Sequence, residues 1–423
     1  MLTKVERDEI IALIRQEVTP AIGCTEPIAV ALAVARVKEL LTVIPEKLDI
    51  WLSANVLKNA MGVGIPGTGM SGLPIAIAMG ILVGKSEYGL EVLRDSTPER
   101  VEEGKKLVDR GIINIHLKED IVEKLYIEVT ASAGPDTARV IISREHTRFS
   151  LIEKNGIKLL ELENNETTET VTEQLQLSFD KVCDFAFYTP IDEIRFIKKT
   201  VELNKAAAEE SLKGTYGHSV AQTLTNSTMG NSVYNHMLSV TAAACDARMA
   251  GAMIPVMSNS GSGNQGIAAT LPVSVFAEET GKSEEELIRA LILSHLITIY
   301  IKQSLGRLSG LCGAVVAATG SGCGVTYLMG GTREQIGFTV KNMIGNVTGM
   351  ICYGAKPSCT LKVHNGVSTA TLSALLAMDN KVVTAVEGIV DEDVDKTIQN
   401  LTKIGREGMM ETDKMVLDIM TNK

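Results

Sequence analysis

Three cysteines in the C-terminal half of the chain stand in segments whose composition suits a metal centre. Cys312 lies in Leu308-Ser309-Gly310-Leu311-Cys312-Gly313-Ala314, while Cys352 and Cys359 flank Tyr353-Gly354-Ala355-Lys356-Pro357-Ser358. Three thiolates are one short of the four that close a tetrahedral zinc site or a cubane cluster. A site built on three keeps a coordination position open, and an open position can bind substrate. Gly310 and Gly313 flank Cys312 and Gly354 lies between Cys352 and Cys359; glycine lets the backbone approach a bulky group and offers amide donors to sulfide. The same cysteines can also be read as small buried hydrophobes or as part of a closed structural zinc site. Spacing alone leaves these readings open.

Other segments carry chemistry less sharply. Cys24, in Ala21-Ile22-Gly23-Cys24-Thr25-Glu26-Pro27, heads an expected helix. The positive end of that helix predicts a lowered thiol pKa. A fourth ligand, an acid/base group and an inert cap are equally open roles for it. The run Ser258-Asn259-Ser260-Gly261-Ser262-Gly263-Asn264-Gln265-Gly266 enters an apolar helix. Its hydroxyls, amides and backbone N–H groups suit a carboxylate, which makes Ser260, Ser262 and Asn264 candidate substrate ligands. It lacks the Lys-[Ser/Thr] end of a nucleotide-binding P-loop. Lys58 and Asn59 precede a second glycine-rich stretch, 62–72, and could meet the same carboxylate. Of six histidines, His295 falls in an apolar helix and His364 follows Cys359 closely, whereas His116 and His146 fall among strands and are expected to be exposed. Cys183, Cys245 and Cys323 have small or apolar neighbours and read as core. The candidate proton-transfer groups are Cys24, His295 and Lys58, in that order.

These residues must be positioned by a chain of 423 residues, enough for more than one domain and a large core. Hydrophobic residues make up 45% but aromatic ones only 4%, so aliphatic helices crossing through small residues must do the packing. A net charge of −10 without a basic stripe argues against a nucleic-acid partner. Seven scattered cysteines are too few for a disulfide scaffold. The charged start carries no signal-like apolar run, so the expectation is a cytoplasmic protein. The charge-free stretches 59–84, 249–277 and 308–332 are long enough to cross a bilayer but are broken by Gly, Pro, Asn, Ser and Thr, and buried segments around a site explain them better.

Helices are predicted over 3–17, 25–42 and 73–83, and a strand over 47–53. Period-two runs between about 111 and 162 predict a small antiparallel sheet, and 161–169 a solvated connector. From about 175 helical spacing dominates, with 283–303 apolar on one side and 392–408 and 410–421 closing the chain. The fold class is α+β. The expected division is 1–44, N-terminal helices packing on the catalytic domain; 45–175, an α+β domain; and 176–423, a helical catalytic domain.

Taken together, the segment 21–27, the loop Gly263-Asn264-Gln265-Gly266, Gly310-Leu311-Cys312-Gly313 and the set Cys352, Cys359, His364-Asn365-Gly366 resemble the iron–sulfur L-cysteine desulfidases over nearly the whole chain. That group is similar to the alpha chain of bacterial iron–sulfur L-serine dehydratases, which the chain resembles mainly from about 190 onward. The resemblance implies a 4Fe–4S cluster held by Cys312, Cys352 and Cys359 with one iron free for substrate. It also implies α,β-elimination of L-cysteine to pyruvate, sulfide and ammonia. The close spacing of Cys352 and Cys359 departs from the dehydratase pattern and favours the desulfidase branch. Alternatives are an L-serine or L-threonine dehydratase on the same scaffold and a non-enzymatic amino-acid-binding protein. The apolar helices could support a homodimer, though a monomer core explains them equally well.

Overall fold

The computed structural model describes residues 2–119, 123–162, 175–227, 231–306 and 308–422. The N-terminal part begins with α1 (Lys4–Glu17), β1 (Pro20–Ile22), α2 (Thr25–Leu41) and β2 (Lys47–Leu52). Next come α3 (Ala54–Ala60), α4 (Leu73–Leu82), α5 (Pro98–Asp109) and β3 (Ile113–Leu117). The strands β4 (Tyr126–Ala133), β5 (Asp136–Ser143), β6 (Phe149–Lys154) and β7 (Ile157–Glu161) complete it. The polar run 161–169 lies, from residue 163 on, outside the described residues.

The sheet has six strands in the order β3-β2-β4-β5-β6-β7. It is mixed rather than antiparallel, because β2 joins it and pairs parallel with β3. A parallel partner needs a long crossover, and α3 to α5 supply it. In β2, Leu48, Ile50 and Leu52 alternate inward and are fully buried, forming one core with α2 and α4. The helix α1, by contrast, sends Ile10 and Ile14 into the separate core of the helical part. The first 44 residues therefore serve both halves.

The helical part comprises α6 (Phe179–Tyr188), α7 (Ile191–Ile194), α8 (Lys199–Lys213), α9 (Val220–Thr225) and α10 (Val233–Met249). After β8 (Pro255–Met257) come α11 (Gly263–Glu279), α12 (Glu284–Leu305), α13 (Gly313–Leu328), α14 (Arg333–Val347) and α15 (Cys359–Met378). The helices α16 (Val394–Lys403) and α17 (Met410–Thr421) follow. Rather than being apolar on one side only, α12 is buried along most of its length, because α6, α11, α13 and α16 surround it. Among the described residues no helix is long and apolar enough to cross a membrane. The short strand β1 pairs antiparallel with β8, which lays the segment leading to Cys24 beside the segment leading to Ser258.

Candidate functional site

Two backbone hydrogen bonds bring distant cysteines together. The N–H of Cys312 donates to the Met350 carbonyl at 2.9 Å, and the N–H of Cys352 to the Gly310 carbonyl at 2.8 Å, around a single bridge between Leu311 and Ile351. After Cys352 the chain turns at Gly354, whose φ of +84° puts it in the left-handed region. A Cβ there would lie 2.2 Å from the Lys58 carbonyl oxygen, so only glycine fits. Lys58 Nζ donates to the Cys352 carbonyl at 3.2 Å, and Lys356 Nζ donates to the Lys58 carbonyl at 3.1 Å. The Lys356 N–H points at Cys359 Sγ, 3.4 Å away.

These segments border a cavity of about 100 Å³ lined by Cys24, Thr25, Glu26, Asn59, Arg248, Ser262, Asn264, Cys312, Gly313, Ala314, Cys352, Gly354, Ala355 and Cys359. Four helices begin there. Cys24, Ser262 and Cys312 are the N-cap residues of α2, α11 and α13, Cys359 is the first residue of α15, and none of the four helices has a side-chain cap. Uncapped first turns leave backbone N–H donors, and aligned dipoles favour negative charge in front of them. A cleft of about 620 Å³ between α3 and α17 is larger, but it contains none of the cysteines.

The electrostatics of the cavity are set by burial and by a few charges. Burial opposes the charge on Glu26, but the facing His146 and the Cys24 thiol outweigh it and hold the carboxyl well below the usual range. Glu26 accepts from Cys24 Sγ at 3.0 Å, Thr25 Oγ1 at 3.1 Å and Asn59 Nδ2 at 3.0 Å, and three donors onto one carboxylate favour its ionised form. Cys24 departs from the sequence expectation. Burial and the negative Glu26 push its thiol well up, against a smaller opposing effect of Arg248. Burial and Glu26 together override the helix N-terminus.

Arg248, at the end of α10, is 3% exposed. Its Nη1 donates to Asn264 Oδ1 at 2.9 Å, while its buried Nε has no partner. Asn59 Oδ1, Gln265 Oε1 and His146 Nε2 are likewise buried without a hydrogen bond. Gly263 makes room for the guanidinium, since a Cβ there would sit 2.2 Å from Arg248 Nε.

Of the sequence candidates, Cys24, Asn59, Ser262, Asn264, Cys312, Cys352 and Cys359 share this cavity, and Lys58, Ser260 and His295 do not line it. Lys58 is buried in an ion pair, its Nζ 2.5 Å from Asp413 Oδ1. Ser260 donates its hydroxyl to Asn259 Oδ1 at 2.8 Å. His295 stands behind the loop, accepting from Asn259 Nδ2 at Nδ1 and facing Thr270 Oγ1 with Nε2, each at 3.0 Å. Thr270 Oγ1 donates to the Gly266 carbonyl at 2.7 Å, so Nε2 carries the ring proton. Burial drives the His295 pKa down to about 3, which keeps the ring neutral.

His146, expected to be exposed, is 6% exposed and places Nε2 3.8 Å from Glu26 Oε1. That distance exceeds a hydrogen bond but allows strong attraction. Sequence reading also missed Arg248 and the role of Glu26. The Thr25-Glu26 pair beside a cysteine was a usable signal for Glu26; an arginine inside a charge-poor helix was the signal for Arg248.

Among the described residues no three His, Cys, Asp or Glu side chains converge on a point that would hold a single metal ion. The three cysteines do share the lining of one cavity. Burial, then the Cys352 and Cys359 thiols, push Cys312 up to about 12, and burial also raises Cys359. Cys312 and Cys359 as bare thiols hold their protons, whereas a cationic centre beside them would reverse that. In residue type, three thiols are a donor set that a cluster takes.

A family model described as the serine dehydratase alpha chain matches residues 87–418. A UPF0597 protein of Bacteroides fragilis is 65% identical over 426 residues, covering all of both chains. One from Phocaeicola vulgatus is 65% identical over 431 residues, covering 100% of this chain and 99% of its own. A third, from Oleidesulfovibrio alaskensis, is 45% identical over 427 residues, again over all of both chains. Cys24, Glu26 and Asn59 lie before the family match, in the part shared with the full-length relatives.

Proposed function

This chain belongs to the serine dehydratase alpha chain family, and from that footing we propose that it is an iron–sulfur lyase releasing sulfide from L-cysteine, with pyruvate and ammonia as the other products. The observation that carries the reading is the meeting of Cys312, Cys352 and Cys359 around one small cavity faced by four uncapped helix N-termini. Those three residues would hold the cluster. When bound, it would supply an open iron acting as a Lewis acid on the leaving group at Cβ.

The protein's own groups do the rest. The N-termini of α11 and α13, with Ser262 and Asn264, draw the negative end of the substrate into the cavity. Cys24, whose thiol donates to Glu26 Oε2 at 3.0 Å, is the proton-transfer group of this reading. Lys58 fixes the Cys352 carbonyl, and His295 fixes Asn259 behind the loop; both act as positioning residues. Ala314, Ala355, Gly313 and Gly354 keep the cavity narrow and limit the side chain that enters.

L-serine elimination on the same scaffold is the second reading, favoured by the description of the matched family. A sulfur leaving group suits iron better than a neutral hydroxyl does, which favours cysteine. Anaerobically purified protein assayed with each amino acid, following sulfide, ammonia and pyruvate, separates the two. Serine turnover far above cysteine turnover would refute the desulfidase reading. Protein lacking iron and labile sulfide, and inert to both, would refute the lyase.

A further inference from the structure

We propose that this cavity receives its ligand as the zwitterion of an α-amino acid, with Arg248 taking the carboxylate and Glu26, helped by Asn59 Oδ1, taking the α-ammonium. The proposal deepens the lyase reading and rests on it for the identity of the site.

Both side chains line the same small cavity. Arg248 is 3% exposed and Glu26 7%, so neither charge is relieved by bulk water. Arg248 makes no ion pair among the described residues; Asn264 is its neutral partner, and its Nε is left without one. An uncompensated buried charge is costly, and proteins retain one where a ligand completes it. Glu26 already accepts three hydrogen bonds from neutral donors, and the ring of His146 stands 3.8 Å away. An ammonium group there would meet the carboxylate and the buried Asn59 Oδ1, an acceptor with nothing to accept. The two halves are unlike in charge and are not paired with each other. A ligand with one charge alone would engage one half and leave the other without a charged partner in the cavity. A zwitterion satisfies both.

The placement also bears on selectivity. With the carboxylate at Arg248 and the nitrogen at Glu26, the third substituent of Cα is the one left to point at the cysteine corner. Three-point attachment of this kind distinguishes L from D, since exchanging two substituents would aim the reacting group elsewhere. Cysteamine lacks the carboxylate and 3-mercaptopropionate the amine, so each lacks one anchor.

The test uses L-alanine, which has both charges and no leaving group, and reads binding rather than turnover. Isothermal titration of the full-length, anaerobically purified protein should show L-alanine binding, with propionate and ethylamine each at least roughly tenfold weaker, the loss expected for one charge-assisted contact. Arg248→Gln and Glu26→Gln, where folded, should each weaken L-alanine by about tenfold to a hundredfold. No binding of L-alanine would overturn the proposal. So would propionate or ethylamine binding as tightly, or folded variants that bind L-alanine like the parent. Should a variant fail to fold, the ligand series on the unaltered protein decides alone. The two readings fail separately. L-alanine binding in a protein that never releases sulfide or ammonia would sink the lyase only. A working lyase whose KM for cysteine ignores both substitutions would sink the zwitterion receptor only.

Discussion

Separating Lys58 from Asp413 tests whether the lysine is part of the scaffold or of the chemistry. Its side chain is 2% exposed and that of Asp413 15%, with Nζ and Oδ1 2.5 Å apart. At an effective dielectric of about 20, two unit charges at that distance attract by about 6–7 kcal/mol, much of it offset by desolvation of both groups. Asp413→Ala leaves an ammonium buried with only the Cys352 carbonyl at 3.2 Å as a remaining partner. Breaking a buried pair in this direction costs about 3–5 kcal/mol. Lys58→Met is gentler, because the methionine is apolar and of similar length. Asp413 then keeps the Asn55 Nδ2 donor at 3.2 Å and some access to water, for a cost of about 1–2 kcal/mol. The double variant Lys58→Met/Asp413→Ala removes both charges and should cost clearly less than the sum of the two singles. Equilibrium urea unfolding of all four proteins measures the cycle. Asp413→Ala no more destabilising than Lys58→Met, or a double variant worse than the sum of the singles, would refute the reasoning. Retention of most turnover in Lys58→Met would place the lysine in the scaffold.

Three further outcomes follow from the geometry. Cys312→Ser, Cys352→Ser and Cys359→Ser should each abolish iron content, colour and turnover in anaerobic preparations. Cys323→Ser, fully buried with its Sγ 3.8 Å from the Ile336 carbonyl, should retain all three, and equal loss in all four would show the ligand set to be wrong. Gly354→Ala should cost about 2–5 kcal/mol from its backbone conformation and overpacking together, read by urea unfolding and by loss of iron; an unchanged midpoint would contradict the contact with Lys58. His295 is neutral when folded, with its pKa down to about 3 from 6.5. A depressed folded pKa means its contribution is complete above about 6.5 and declines as pH falls toward 3, by about 1.4 kcal/mol per pH unit. Between pH 7 and 5, His295→Gln should show a shallower loss of unfolding free energy than the parent; equal slopes would count against the buried neutral ring.

What could be read from the sequence was what has a local cause. The helices over 4–17, 25–41 and 73–82 follow from their spacing and small residues, and the glycine–cysteine segments announce loops meeting helix starts. The site escaped where its logic is long-range. His146 sits on a hairpin between β5 and β6 and reaches Glu26 across 120 positions of chain, with no periodic signal to predict it. Arg248 reads as the basic last turn of a helix, and only the packing of α10 against α11 turns it toward Asn264. The lowered pKa expected for Cys24 followed from the helix alone, whereas burial, and then the carboxylate two residues away, decide the outcome. The parallel pairing of β2 and β3 was likewise invisible, because it depends on where a crossover of about sixty residues returns.

The helix α2 spans 17 residues, a stiff strut about 25 Å long. Its body lies pinned beneath the sheet, while its leading tip presents Cys24 and Glu26 to the cavity. A strut passes displacement from one end to the other with little loss. Pressure on the sheet, from a repacked side chain or anything lodged against its open side, would therefore be felt as a shift of thiol and carboxylate at the far end. Adjustments remote from the cysteines have a mechanical route to them.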